Sequence, residues 1–430
     1  MRSKGIRAGI DRGIMKLVHD EHAWYKKIIP ESVRRKVSNP LADMVIRGEL
    51  EKKPTKYRPG VYPDGINLYG LLKAEIGLAQ GAKLYAKAIE EGGIPHTLLN
   101  LSYCYDLAQN DRTFDDRLAT ENKYAINVAH INPPEWRMAL GKFPQGQFNG
   151  HYNIGVWLWE LEKIPADWVP IIRYVDEIWV PSRFIAEAVK KETDKPVTVI
   201  PYGIEVPYDE KVTRADFGLD EDDFLVLMMF DSRSYASRKN PGAAIDAFRE
   251  AYGVNPEKVK LVIKINNPSE EDIAFVEEHM GGTDGYVLIT ERLEKEKLNS
   301  LIRLCDVFIS LHRAEGFGLV MAEAMALGTP AVATNWSSNT EFMTEESACM
   351  AGYELVPVNG AYLGDDGTMM WAEANVAQAA GFLKRLKEDE EFYREKVEKG
   401  KEMIEERLSV GSCAKLIKER VGEILGSGQS

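Results

Sequence analysis

The chain has 430 residues, 44% hydrophobic and 28% charged, with a formal net charge of −13. That length suggests two or three domains, and the composition excludes a disordered or fibrous chain. The longest apolar run, Phe224 to Phe230, falls far short of the roughly 20 residues a bilayer span needs.

Cys104, Cys305, Cys349 and Cys413 are widely spaced and form no Cys-x-x-Cys pair. A disulfide framework or a structural zinc site is therefore not expected. With no secretory signal pattern at the start, a cytoplasmic location is the expectation. Charge is unevenly spread. Residues 1–58 carry 15 Lys/Arg against 7 Asp/Glu, and the remainder carries 39 against 60. An acidic body is a poor general binder of duplex nucleic acid, so no nucleic-acid partner is expected and any anionic ligand must meet local cations.

Residues 1–58 read as a basic helical extension, broken by Pro30, Pro40 and Pro54. The character changes near Asp64. Gly65 to Gly70 reads as a strand, then an Ala/Leu-rich helix stops at Gly92-Gly93. Further strands are expected at Pro95–Leu101, Tyr124–Ile131, Asn153–Leu158 and Glu177–Pro181. Val199 to Ile204 reads as a hinge. The same grammar follows: strands at Phe224–Phe230, Lys260–Ile265, Tyr286–Thr290, Val307–Leu311 and Ala331–Thr334, with helices at Asn240–Ala251, Lys295–Leu304 and Met321–Leu327. Two charged helices fill Gln378–Arg407, and a last helix runs from Val410 to Leu425. Alternating strands and helices predict an α/β chain with two Rossmann-like, doubly wound domains facing a cleft. The expected divisions are 1–58, 59–205, 206–408 and a 409–430 helix crossing back to the N-terminal domain.

Two strand-to-helix crossings carry the chemistry. In His312 to Met325, Glu315 lies in the loop and Glu323 eight residues on, inside the helix. Gly316 and Gly318 let backbone N–H groups approach an anion at the positive end of the helix dipole. Two carboxylates flanking such a point suit a molecule with a central phosphate and hydroxyls at both ends, as in a nucleotide-sugar. A tight turn with solvated glutamates is the plainer alternative. In Phe230 to Pro241, Arg233, Arg238 and Lys239 put three cations in an acidic body, with Ser234 as a hydroxyl donor. A solvated basic loop is the alternative there.

His130 ends a strand, where a histidine is either structural or functional. Trp157, Trp159 and Glu160 stand at another strand exit. Their rings either stack on sugar, with Glu160 binding hydroxyls, or belong to the core. Asp220-Glu221-Asp222 has the Asp-x-Asp spacing of metal-dependent sugar transferases but precedes its strand, so a solvated turn and no metal site are expected.

Glu315-Gly-Phe-Gly-x4-Glu323, with Arg238-Lys-Asn-Pro upstream, resembles retaining glycosyltransferases of the GT-B fold, family 4. Val180-Pro-Ser-Arg-Phe184, Ile200-Pro-Tyr-Gly-Ile204 and Ala333-Thr-Asn-Trp-Ser337 fit as well. Trp157 to Glu162 and Glu177 to Ser182 look like a subgroup making surface polysaccharides. The resemblance covers about residues 64–425.

It implies that Arg233 and Lys239 grip the donor diphosphate and that Glu315 contacts the donor sugar and supports its transition state. His130 would stand at that sugar. Phe317, Gly318 and Leu319 would run along sugar and phosphate, Glu323 would hold the ribose, and Leu293 would lie by the base. The usual first-loop glycine pair is Tyr69-Gly70 here, placing Gly70 on the acceptor side with Trp159 and Glu160. The usual Ser-Gly-Asn is Ser337-Ser338-Asn339.

The implied activity is metal-independent transfer of a hexose from a nucleotide-diphosphate sugar to a glycan or lipid-linked acceptor, with no cofactor. The basic extension would allow peripheral membrane contact. A nucleotide-sugar epimerase and a non-catalytic glycan-binding protein are the rival readings on the same fold.

Overall fold

The structure, a computed structural model, describes residues 53–102, 109–140, 146–281, 283–358, 362 and 366–426. The basic extension up to residue 52 lies outside them. Residues 53–58 form no helix, as Pro54 favours, and are tied to Gly150: Arg58 N–H donates to its carbonyl at 3.0 Å.

The first sheet has six parallel strands: β1 (Ile66–Gly70), β2 (His96–Asn100), β3 (Ile126–His130), β4 (Tyr152–Val156), β5 (Glu177–Val180) and β6 (Val197–Val199). Their order is β2-β1-β3-β4-β5-β6. Helices α1 (Gly77–Glu91), α2 (Pro133–Leu140) and α3 (Arg183–Lys190) lie between them. Ser182 caps α3, its hydroxyl accepting the Ile185 N–H at 3.2 Å. Only three residues long, β6 lies within the segment the sequence gives as connection and hinge. Its pairing with β5 places Val199 opposite Val180.

The second sheet is also parallel: β7 (Phe224–Asp231), β8 (Val259–Asn266), β9 (Tyr286–Ile289), β10 (Val307–Ser310), β11 (Ala331–Thr334) and β12 (Cys349–Ala351). The order is β12-β11-β10-β7-β8-β9. Its helices are α4 (Ala236–Lys239), α5 (Pro241–Tyr252), α6 (Glu270–Met280), α7 (Lys295–Leu304), α8 (Leu319–Leu327) and α9 (Val376–Glu388). Near-continuous apolar runs such as Phe-Leu-Val-Leu-Met-Met-Phe in β7 are what a strand covered by helices on both faces requires. An antiparallel hairpin, β13 (Tyr353–Pro357) and β14 (Met370–Ala374), stands apart from the sheet and is not legible in the hydrophobic pattern, because β13 is largely exposed.

The chain passes twice between domains. Ile204 N–H donates to the Leu408 carbonyl at 2.6 Å, where α10 (Glu390–Leu408) hands over to α11 (Val410–Gly426). Gly203 is required at this crossing, since a Cβ there would lie 2.8 Å from Val410 Cα. Helix α11 then packs along α1, burying Ile417, Val421 and Ile424 in a core shared with Tyr85 and Ile89.

Candidate active site

In an open α/β sheet, ligands bind beyond the carboxyl ends of the strands, where the strand order reverses direction. In the second sheet that point lies between β7 and β10. Residues 231–240 leave the end of β7 and residues 311–319 leave the end of β10, so the two motif loops face each other across it. In the first sheet the reversal lies between β1 and β3, whose last residues are Gly70 and His130. Asp220 and Asp222 sit at the opposite end of β7, about 25 Å away by strand rise, within 4 Å of Lys258 Nζ.

The loops meet through charge. Lys239 Nζ lies 2.5 Å from Glu315 Oε1 and Arg238 Nη1 lies 3.3 Å from the same oxygen. Burial alone would raise the Glu315 pKa, but Lys239 and then Arg238 outweigh it and hold the carboxyl at about 2. Glu315 N–H donates to Ser337 Oγ at 2.8 Å, which fixes the loop. Ser337 itself holds φ +72°. Behind it, His312 Nε2 lies 3.0 Å from Asn339 Oδ1, and burial depresses the imidazole pKa.

The entrance of α8 requires a glycine. Gly318 caps the helix at φ +95°, and a Cβ there would come within 2.6 Å of Met321 Cε. Leu319 begins the helix and is half-buried. Phe317 is a core residue, its ring 5.1 Å from that of Tyr202 and 5.4 Å from that of Phe342. Glu323, buried in α8, is met at 2.6 Å by Lys295 Nζ from the first turn of α7. Leu293 lies half-buried in the preceding connection. Ser234 ends a single 3₁₀ turn, and Arg233 is exposed. Among the described residues the Arg233 guanidinium has no partner. Each glutamate thus holds a lysine, and one arginine stays uncommitted at the cleft.

On the N-terminal side, Glu160 is drawn into the same cluster. Its Oε2 accepts the Tyr362 hydroxyl at 3.1 Å, and its Oε1 lies 3.9 Å from Arg238 Nη2. Trp159 is 3% exposed, its ring against Trp168 and Tyr362, and its indole N–H donates to the Lys163 carbonyl at 2.6 Å. The strand expected to run through Leu158 ends at Val156, so strict alternation does not apply to Trp157–Glu160. Trp157 is fully buried.

Gly70 is buried at the end of β1, where a Cβ would approach Ala82 Cβ to 2.7 Å. His130 is fully buried, with Nε2 2.9 Å from the Tyr202 hydroxyl and Nδ1 without a partner among the described residues. Burial lowers its pKa to about 3. The ring is neutral at ordinary pH.

Two features escaped the sequence reading: Tyr362 as a partner of Glu160, and Lys295 as a partner of Glu323. Neither lies in a recognisable motif. Ser338, at the position where glycine is usual, places Oγ 2.8 Å from Ser182 Oγ of the N-terminal domain.

These loops have known counterparts. Residues 209–403 match the sequence model of the family described as glycosyl transferases group 1. A D-inositol 3-phosphate glycosyltransferase from Acidothermus cellulolyticus is 28% identical over 174 residues, covering 37% of this chain. The match spans 38% of that relative's length.

Solved structures share the two-domain fold over more of the chain. A sucrose-phosphate synthase from Thermosynechococcus elongatus superposes with a TM-score of 0.62 at 14% identity, covering 84% of this chain and 99% of that one. HepE from Anabaena, in complex with UDP and glucose, gives 0.58 at 13% identity, covering 84% and 100%. These likenesses show a GT-B-like fold, and the group 1 match over residues 209–403 supports a transferase.

Proposed function

We propose that this chain is a retaining glycosyltransferase of family 4 that moves a hexose from a nucleotide-diphosphate sugar to a glycan or lipid-linked acceptor in surface-polysaccharide assembly. The observation that carries the reading is the meeting of Glu315, Lys239 and the α8 entrance at the reversal point between β7 and β10. In this reading the nucleotide lies along the C-terminal domain, its ribose on Glu323 and its base near Leu293. The diphosphate lies between Arg233, Lys239 and the backbone N–H groups after Gly318.

Transfer breaks the bond between the sugar C1 and the phosphate oxygen, and the nucleoside diphosphate leaves with the electron pair. Lys239, Arg233 and the helix entrance stabilise that charge, so no metal ion is required. The acceptor hydroxyl attacks the same face and passes its proton to the departing phosphate oxygen. Glu315 stabilises positive charge developing on the sugar, which its low pKa allows at any ordinary pH. His130, neutral and buried, serves as a wall or hydrogen-bonding group rather than an acid.

The donors named with several structurally similar proteins support the donor class. HepE is described with UDP-glucose, and a pneumococcal O-GlcNAc transferase, GtfA, with UDP and GlcNAc. No described helix is long and apolar enough to cross a membrane. A cytoplasmic enzyme held at the inner membrane face by residues 1–58 accommodates a lipid-linked acceptor.

The test is a panel of UDP-, GDP-, ADP- and dTDP-sugars screened by melting shift, then by nucleotide release with and without acceptor. One nucleotide should raise the melting temperature. A ligand at 100 times its Kd adds about 2.7 kcal/mol. No shift with any of them would sink the reading, and donor turnover without transfer or hydrolysis would identify an epimerase.

A further inference from the structure

The three cations of the loop after β7 part company in space. Arg233 is exposed and Lys239 is partly open, but the Arg238 side chain is 7% exposed. The single turn α4 explains this. Tyr235 before it and Asn240 after it both hold positive φ, 55° and 52°, so the chain doubles back sharply and turns Arg238 inward. Such conformations persist only where the surroundings fix them.

Here the surroundings are the Glu315 loop itself. Arg313 N–H donates to the Arg238 carbonyl at 2.8 Å, and Arg238 Nη1 donates to the Ala314 carbonyl at 2.7 Å. Nη1 then meets Glu315 Oε1, the oxygen that Lys239 also holds, while Nη2 faces Glu160 of the other domain. No described group bonds Glu315 Oε2.

We propose that Arg238 is a positioning residue: it holds Glu315 by Oε1, leaves Oε2 for the ligand, and keeps the carboxylate charged when a diphosphate draws Lys239 away. The inference rests on the reading of Lys239 as a phosphate group and Glu315 as the sugar-facing carboxylate. Lys239, on a flexible stem, can exchange a carboxylate for a phosphate. Arg238 cannot follow, because it is buried with its fork bonded to the Ala314 carbonyl and facing Glu160. A buried carboxylate that lost its last cation would take up a proton. Its contact with Glu160 also makes the arrangement depend on the N-terminal domain being in place.

The titratable groups facing Glu315 are Lys239 and Arg238 from the β7 loop, His312 from its own loop, Tyr362 from the same domain, and Glu160 across the cleft. Burial keeps His312 toward its neutral form and the Tyr362 phenol protonated, so the two cations decide the charge of Glu315.

The experiment follows the ¹³C carboxyl signal of Glu315 in glutamate-labelled full-length protein, assigned by its loss in Glu315→Gln, between about pH 5 and pH 8. Lys239→Met imitates the state in which phosphate has taken Lys239. There the signal should stay that of an ionised carboxylate throughout. In Lys239→Met/Arg238→Met it should titrate inside the window, and in Lys239→Met/Arg238→Lys it should return to the ionised form. Titration in Lys239→Met, with Arg238 intact, overturns the proposal, and so does a double variant that stays ionised. The first arm needs only the single variant, so poor folding of the double leaves it decisive. No substrate is used, so a donor panel without a response would remove the functional reading while this result still stands or falls separately.

Discussion

Glu177 at the start of β5 and Arg420 in α11 form a two-pronged ion pair that fastens the last helix to the N-terminal sheet. Arg420 Nη2 lies 2.8 Å from Glu177 Oε2, and Nε lies 2.9 Å from Oε1. The Glu177 side chain is completely buried and also accepts from Tyr152 and Trp179, both at 2.9 Å. Removing the arginine strands a buried carboxylate, which costs about 3–5 kcal/mol where no other charge replaces it. Arg420→Met should therefore lower the melting temperature strongly, and Glu177→Gln added to it should recover much of the loss. Equal melting of Arg420→Met and the unmodified chain would show that α11 is held by its apolar face alone.

At the cleft, Lys239→Ala removes one charged hydrogen bond in the transition state, worth about 1.5–3 kcal/mol, or roughly 10- to 150-fold in kcat/KM. Glu315→Gln should lose at least as much transfer. Steady-state kinetics with the donor picked out by the panel measures both. Full activity in both variants would place the chemistry elsewhere.

His130 gives a pH signature in stability. Its folded pKa of about 3 lies below the ordinary histidine value of 6.5 because burial disfavours the imidazolium. Between those values the unfolded chain binds a proton that the folded chain does not. The contribution therefore falls as pH drops through 6.5 toward 3, and is complete above 6.5. Melting temperature against pH should fall less steeply on the acid side in His130→Leu than in the unmodified chain. Parallel curves would mean that His130 is not held neutral. Gly81→Ala disturbs the same place, since its Cβ would lie 2.9 Å from His130 Nε2 and 2.6 Å from the Tyr202 hydroxyl.

Metal independence is tested by removal. Transfer in excess EDTA should stay within about twofold of the untreated rate, because Arg233, Lys239 and the α8 entrance supply the positive charge. A collapse restored by Mg²⁺ or Mn²⁺ would assign that charge to a cation instead.

The basic extension is tested with vesicles. Each basic residue near an anionic surface contributes about 1 kcal/mol, screened over about 8 Å at physiological salt. Full-length protein should co-sediment with anionic vesicles at low salt, and less at high salt or with neutral lipid. A chain shortened to begin at Lys53 keeps the Arg58–Gly150 contact and should stay in the supernatant. Equal sedimentation of the two would remove the arm from membrane binding.

The division of labour between sequence and tertiary structure is visible in the loops after β7 and β10. Hydrophobic periodicity marks Phe224–Phe230 and Val307–Leu311 as buried strands, and the Gly, Pro and charged residues after each mark the crossings into helices. Both loops, and Glu315, Glu323, Arg233 and Lys239 as their polar groups, were therefore legible from local pattern. The short strand β6 and the hairpin β13–β14 were not. A three-residue strand carries too little alternation, and an exposed ribbon has no buried face to imprint one.

Which cation meets which carboxylate was also beyond the sequence. Arg233 and Arg238 look equivalent as letters, yet one is exposed and the other lies beneath Glu315, 77 residues away in the chain. That pairing depends on β7 lying next to β10, on the two positive-φ residues around α4, and on the N-terminal domain bringing Glu160 across the cleft. Periodicity reports whether a residue's own element is buried. The partner it finds there is set by strand order and domain placement, which act between segments far apart in the chain.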